Sequence, residues 1–190
     1  YPMPDRNYTV MGLISAGGGI SLGLNNPQIR LVRGEAIYGT SVDRLLDTPH
    51  FDTLLRGGDR VFVEEDERYF LSFGAAGQEA LHTFTKDQVS AMDAVSIMGG
   101  LQDNKADPQG LLILREYAPS ALAAGQRGPR QTRVVFSLDL TTADGLFSAR
   151  QFQINPDDLV MVTESPINDA LTVSNIFGNF FGVFSAASSL

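Results

Sequence analysis

Apolar positions along the chain switch between a helical and an alternating period, and the order of those switches is written twice. In the first pass Val10, Leu13 and Ile14 fall on one face of a helix expected over residues 9–16, with Asp5-Arg6-Asn7 supplying its N-cap. Gly17-Gly18-Gly19 ends it, as glycine does where φ turns positive at a helix C-terminus. A loop through Asn25-Asn26-Pro27 follows. Residues 29–33 and 35–41 read as strands, and 42–46 as a short helical or turn element. Residues 53–55 lead into the tight turn Arg56-Gly57-Gly58-Asp59, and 60–64 close the pass as an alternating strand.

The second pass begins with a hairpin, 69–73 and 78–84, around Gly74-Ala75-Ala76-Gly77. Thr85-Lys86-Asp87-Gln88 is expected to cap a helix over 89–98 that ends at Gly99-Gly100. A strand at 111–116 precedes a loop, 118–133, rich in Ala, Gly, Pro and Arg. Residues 134–138 return to the sheet, 143–149 form a short helix, and 159–163 close.

Landmarks recur in register. Leu13-Ile14-Ser15-Ala16-Gly17-Gly18-Gly19 is answered by Val95-Ser96-Ile97-Met98-Gly99-Gly100, and Asn26-Pro27-Gln28 by Asp107-Pro108-Gln109. Leu31-Val32-Arg33 returns as Ile113-Leu114-Arg115, and Ser41-Val42-Asp43 as Ser137-Leu138-Asp139. Gly58-Asp59-Arg60-Val61-Phe62-Val63 matches Asp157-Asp158-Leu159-Val160-Met161-Val162. The offset grows from 81 (Pro27 to Pro108) to 99 (Asp59 to Asp158), so insertions lengthen the second copy. Such self-similarity marks a tandem duplication of one small module.

Each module reads as β-β-α-β-β-(α)-β, a small mixed sheet wrapped over one helix, which is an α+β arrangement. The expected divisions are a first module over 1–66, truncated at its amino end, a second over 67–165 carrying the inserted loop 118–133, and a tail over 166–190. The first copy lacks the strand-like lead of the second, so the chain is expected to be a carboxy-terminal fragment of something longer. Glu64-Glu65-Asp66-Glu67 reads as a solvated charged linker between modules.

Composition changes this picture mainly by exclusion. An apolar fraction of 43% and a charged fraction of 19% over 190 residues belong to an ordinary globular protein. A net charge of −8 argues against nucleic acid and against charge-driven binding to an anionic membrane. The chain has no cysteine, which permits an oxidising compartment without demanding one.

Candidate chemistry is sparse. Gly17-Gly18-Gly19 ends a helix and no lysine follows, so it is a structural cap rather than a phosphate cradle. His50 and His82 stand at non-equivalent positions and read as surface or loop residues, with too few nitrogen or sulfur ligands for a metal site. Asp157-Asp158 shares only its second acid with Gly58-Asp59, which suits a turn. No nucleophile–base pairing is evident, no cofactor is implied, and the chain reads as a non-enzyme. Arg33 and Arg115 read as salt-bridged or snorkelling strand-end residues, with an anionic ligand as the alternative. Arg127, Arg130 and Arg133, in a loop insertion without acids, are the local candidates for contact with an acidic glycan or a neighbouring subunit.

In the tail, residues 167–185 contain no Lys, Arg or Glu and one Asp. At helical spacing Asn168, Thr172, Asn175 and Asn179 form a polar stripe. Val173, Phe177, Phe180, Phe181 and Phe184 gather opposite, and Ala170, Ser174, Gly178 and Gly182 lie along a flank in the small-residue spacing that lets helices pack closely. Roughly 20 residues at 1.5 Å each would cross a bilayer core. An amphipathic helix docked on the second module, or a disordered end, fits the same residues.

Taken together, the helix–Gly-Gly ending, (Asn/Asp)-Pro-Gln, hydrophobic–Arg strand, Ser-hydrophobic-Asp and (Gly/Asp)-Asp-x-Val-x-Val close resemble the soluble-ligand-binding β-grasp (SLBB) module. The tandem pair plus amphipathic tail resembles the carboxy-terminal part of the outer-membrane polysaccharide export proteins. The likeness is most specific at 98–109 with 112–115 and at 152–162. It implies periplasm-facing lipoproteins of the outer membrane that assemble as homo-oligomeric rings, carry capsule or exopolysaccharide outward, and work with an inner-membrane export or polymerisation partner. In the tail it implies that Phe177, Phe180, Phe181 and Phe184 face lipid. It also implies that Ser174, Gly178 and Gly182 meet the neighbouring helix, and that the Asn168, Thr172, Asn175 and Asn179 stripe faces a lumen. The alternative is a soluble glycan- or small-ligand-binding module whose tail merely packs against it.

Overall fold

The computed structural model describes residues 1–3, 5–101, 107, 109–122 and 128–163. The chain forms two compact units. One comprises Tyr1–Arg68 with Thr83–Val89; the other comprises Tyr69–His82 with the described residues from Ser90 onward. The architecture is α+β, with two sheets and short helices arranged as tandem β-grasp-like modules.

In the first unit α1 (Val10–Ala16) starts at Thr9, whose hydroxyl accepts the Gly12 N–H at 3.1 Å. The N-cap is therefore Thr9 and not the Asp5-Arg6-Asn7 segment. A capping oxygen must sit immediately before the first helical residue to reach the free N–H groups. Asp5 is too far upstream and instead accepts from its own neighbour, Asn7 N–H, at 2.7 Å. The strands β1 (Gln28–Arg33), β2 (Ala36–Ser41) and β3 (Arg60–Glu64) lie in the order β2-β1-β3, all antiparallel, so β2 and β3 are edges. Ser41 ends β2 and caps α2 (Val42–Asp47) through the Arg44 N–H, and Pro49–Phe51 adds one 3-10 turn. Val10, Ile14, Ile29, Leu31, Val42, Leu45 and Leu55 make the core between the helices and the sheet. At roughly 1.5–3 kcal/mol for each large aliphatic side chain buried, that cluster is what holds so small a module together.

The second unit contains β4 (Tyr69–Gly74), β5 (Leu81–Thr83) up to His82, α3 (Ala91–Ile97), β6 (Leu111–Glu116), β7 (Arg133–Leu138), α4 (Ala143–Gln151) and β8 (Leu159–Val162). The order is β5-β4-β8-β6-β7, with β4 and β8 parallel and β6 antiparallel to both neighbours. Leu111, Leu112, Ile113 and Leu114 are all buried, as expected of an interior strand covered on both faces. The parallel pair makes this sheet mixed. Among the described residues the first unit has no strand ahead of α1 that could pair that way, and its sheet is purely antiparallel.

Helix α3 is capped by a reciprocal box, in which Ser90 accepts the Asp93 N–H and Asp93 accepts the Ser90 N–H. This corrects the assignment of the cap to Thr85-Lys86-Asp87-Gln88. Asp87 is engaged elsewhere, accepting the Ser41 hydroxyl and the Gln28 side-chain amide within the first unit. Both main helices end alike. The N–H groups of Gly17, Gly18 and Gly19 return to Leu13, Ser15 and Ile14, and those of Met98, Gly99 and Gly100 return to Ala94, Ser96 and Val95. Gly18, Gly19, Gly99 and Gly100 all have φ between 84° and 105°, so the glycine runs are helix stops.

Strand register corrects one landmark of the duplication. Leu31 faces Tyr38 and Arg30 faces Gly39 in the first sheet, whereas Ile113 faces Phe136 and Leu112 faces Ser137 in the second. Ser137 is thus the counterpart of Gly39, not of Ser41. The helix-capping role of Ser41 passes to Thr142, whose hydroxyl accepts the Gly145 N–H.

Candidate functional site

Each module closes around one arginine. In the first, Arg33 at the end of β1 donates Nε to Asp59 Oδ1 at 3.0 Å and Nη2 to Asp59 Oδ2 at 2.7 Å. Its Nη2 also reaches the Leu54 carbonyl at 2.8 Å. In the second, Arg115 at the same place on β6 makes the same set: Asp158 Oδ1 at 2.9 Å, Asp158 Oδ2 at 2.7 Å and the Gln153 carbonyl at 2.7 Å. The acids are held identically. Asp59 accepts the Arg56 N–H and Asp158 the Asn155 N–H, each at 2.8 Å, across turns whose third residue is left-handed (Gly58, φ 90°; Asp157, φ 67°). Leu54 and Gln153 in turn bridge to the cap residues Thr9 and Ser90. Each clasp therefore ties a strand end, a turn and a helix start together.

The electrostatics fit a structural role. Hydrogen bonding to Asp59 raises the Arg33 guanidinium, and the same contact holds the Asp59 carboxyl below the usual carboxylate range. At Arg115 burial is the largest influence and pulls downward; the hydrogen bonds it donates to Asp158 and Tyr117 outweigh it and leave a net rise. Fork-on-fork pairing of this kind fixes geometry as well as charge. Of the two alternatives for these arginines, the salt bridge is the one the structure shows.

The modules differ around the clasp. Arg115 is stacked on two rings, 5.4 Å from the centre of Phe136 and 5.2 Å from that of Phe152, and the rings meet edge-on at 4.8 Å. The register makes Tyr38 the counterpart of Phe136. The N–H of Val10 binds the Thr53 carbonyl as that of Ala91 binds the Phe152 carbonyl, which makes Thr53 the counterpart of Phe152. With threonine in place of phenylalanine, the first unit keeps an open cleft of about 500 Å³. Its floor is Val10, Ile29 and Leu31; its walls include Arg33, Tyr38, Thr40 and Thr53; its rim is Arg44, His50 and Phe51. Arg44 lies 5.2 Å over the Phe51 ring, and His50 and Phe51 are 4.5 Å apart. The Thr40 hydroxyl oxygen is buried there without a hydrogen-bond partner. A second hollow beside it, about 840 Å³, carries Arg30, Asp43, Glu64, Arg68, Lys86 and Asp87, a lining of mixed sign.

His82 is not a surface residue, contrary to the sequence expectation. It is buried on β5, stacked on Phe70 at 5.1 Å, with Nε2 2.8 Å from the Ser72 hydroxyl oxygen. Burial pushes its imidazole pKa down, against a smaller upward pull from the Gln78 backbone. The same Ser72 oxygen donates to the Gln78 carbonyl and accepts the Ala80 N–H. Those contacts pin the β4–β5 hairpin. His50, by contrast, is exposed on the cleft rim. Among the described residues no group of three or more His, Asp or Glu side chains is placed to hold a metal ion.

Of the arginines in the inserted loop, Arg130 and Arg133 are exposed and Arg127 lies outside the described residues. Arg133 begins β7 opposite Glu116, with Nε 3.8 Å from its carboxylate. The tail positions Asn168, Thr172, Ser174, Asn175, Phe177, Gly178, Asn179, Phe180, Phe181, Gly182 and Phe184 also lie outside the described residues. Among the described residues no helix is long and apolar enough to cross a membrane.

No family model matches the chain. Among curated proteins it is 26% identical over 176 residues to the capsule polysaccharide export outer membrane protein CtrA of Neisseria meningitidis, covering 87% of this chain and 45% of that protein. It is 25% identical over 178 residues to the capsule polysaccharide export protein BexD of Haemophilus influenzae, covering 88% and 45%. With the Vi polysaccharide export protein VexA/TviF of Salmonella typhi the figures are 22% over 153 residues, 80% and 42%. The chain thus spans a little under half the length of these relatives. A location at the periplasm and outer membrane fits the outer-membrane name that CtrA carries. Two copies of one β-grasp-like module, matched along most of the chain by proteins named for capsule export, make this chain similar to the outer-membrane polysaccharide export proteins.

Proposed function

We propose that this chain is the periplasm-facing part of an outer-membrane polysaccharide export channel, a structural and translocation component that forms a passage and performs no chemistry. The observation that carries the reading is the extent of the match, which covers 87% of the chain in a relative named for capsule export. The clasps support it. The strand-end cations and their acids are used up in holding each module closed, so the modules are built as rigid parts. In this reading copies of the chain assemble as a ring around the polymer and meet an inner-membrane export or polymerisation partner. Residues 167–184 supply the membrane-facing helix, and Arg127, Arg130 and Arg133 face glycan or a neighbouring subunit.

Cutting the full-length gene after Ser165 tests this, with protein level and localisation measured alongside surface polysaccharide. Persistence of the protein with polymer retained inside the cell is the expected result. Normal export from a stable truncated protein would remove the membrane-helix role and favour a soluble ligand-binding module. The open cleft in the first unit is the one observation that favours that second reading.

A further inference from the structure

We propose that the cleft beside Arg33 is a binding site for a single sugar ring, which takes the place over the clasp arginine that Phe152 takes in the second module. The choice of a sugar, rather than another ring of that size, rests in part on the export reading above.

The duplication supplies an internal control. Two modules with the same clasp, equivalently placed caps and the same strand register differ in what stands over the guanidinium. In the second, Phe136 and Phe152 fill the space with hydrocarbon. In the first, Tyr38 and Thr53 stand at those positions, and the space is an open hollow lined by their side chains. The strand position that holds Leu138 in the second module holds Thr40 in the first, by the pairings Leu111 to Leu138 and Ile29 to Thr40. All three exchanges run in one direction, from apolar to hydroxyl-bearing. At the exposed Tyr38 and Thr53 solvent can meet the hydroxyl, but core packing alone gives no reason for one at Thr40, because a buried hydroxyl needs a partner and the Thr40 oxygen has none.

A ligand that fits must meet an apolar floor, three hydroxyls and an aromatic, cationic rim. A purely apolar molecule would leave Thr40 unpaired, and a bare anion such as phosphate would leave Val10, Ile29 and Leu31 uncovered. A pyranose has the required two-sided character. Its C–H face covers the floor or stacks on Tyr38, His50 or Phe51, its hydroxyls reach Thr40 and Thr53, and a carboxylate substituent would meet Arg44. About 500 Å³ lies within the usual range for small-molecule sites, roughly 300–1,000 Å³.

Saturation-transfer NMR on the purified chain tests the proposal. The probes are methyl β-glucopyranoside, its N-acetylamino counterpart and glucuronate, each at millimolar concentration. Transfer to at least one sugar is expected. It should be lost in Thr53→Phe, which installs the ring of the second module, retained in Thr53→Ser, and weakened at least fivefold in Thr40→Val. Thermal melts establish that each variant is folded; should Thr53→Phe unfold, Thr40→Val decides. No transfer to any of the three sugars overturns the proposal, as does transfer unchanged in the folded Thr53→Phe and Thr40→Val proteins. Because the readout is binding to purified protein, that failure leaves the truncation test of export standing on its own.

Discussion

Asp158 is 1% exposed and takes both of its charged hydrogen bonds from a single side chain, Arg115, at 2.9 and 2.7 Å. Removing one member leaves the other charge buried without its partner, and that residual charge costs more than the lost attraction. Arg115→Met should therefore destabilise the second module by about 3 kcal/mol or more. Urea denaturation would show it as a lower midpoint at unchanged slope. A midpoint within error of the parent would mean that Asp158 finds water, and that the clasp is ornamental.

The helix starts offer a separable test. Ser90→Ala removes the oxygen that accepts the Asp93 N–H and should cost about 1 kcal/mol. Amide exchange should quicken first in α3. Asp87→Ala should leave α3 protection unchanged, because Asp87 bonds to Ser41 and Gln28 and takes no part in the cap. Faster exchange in α3 with Asp87→Ala would restore the capping role to that segment.

His82 couples stability to pH. Its folded pKa is lowered, so the unfolded chain takes up the proton first. The His82 contribution is full above the unfolded value of about 6.5 and is lost as pH falls from there through the lower folded value. The melting temperature should decline from pH 8 toward pH 5 in the parent and decline less in His82→Gln, which keeps a polar group beside Ser72. Parallel pH profiles for the two proteins would show that the buried imidazole does not titrate in this window.

How much of this was legible in the sequence depends on how local the physics is. Glycine stops, the central strands and the Arg–Asp landmarks were readable because each depends on a few adjacent residues. The strands at 60–64 and 111–116 fell where expected. The cap positions are not legible in the sequence because several polar residues precede each helix, and only geometry shows which oxygen reaches an open N–H. His82 reads as a surface residue in the sequence because β5 inverts the hydropathy rule, turning Leu81 outward and His82 inward. A short Ser-hydrophobic-Asp likeness pairs Ser137 with Ser41, and strand register overrides it. The cleft was invisible for a related reason. It is a difference between Thr53 and Phe152, whose equivalence follows from backbone hydrogen bonds rather than from any shared motif.

That equivalence makes the modules interconvertible at one position, with opposite consequences for stability. Phe152 is half-buried and its ring packs on both Arg115 and Phe136. Phe152→Thr removes that ring from a packed site and should cost about 2 kcal/mol, below the 3–5 kcal/mol typical of fully buried phenylalanine because the residue keeps some exposure. The reciprocal Thr53→Phe inserts a ring where open volume already exists, so it should not incur the usual penalty of overpacking. It should raise the melting temperature, since the new ring covers apolar floor and lies against the Arg33 guanidinium. Differential scanning calorimetry of the two variants reads both signs. A destabilised Thr53→Phe would mean that the cleft walls cannot accept a ring in the second module's geometry, and that the two clasps are alike in their hydrogen bonds alone.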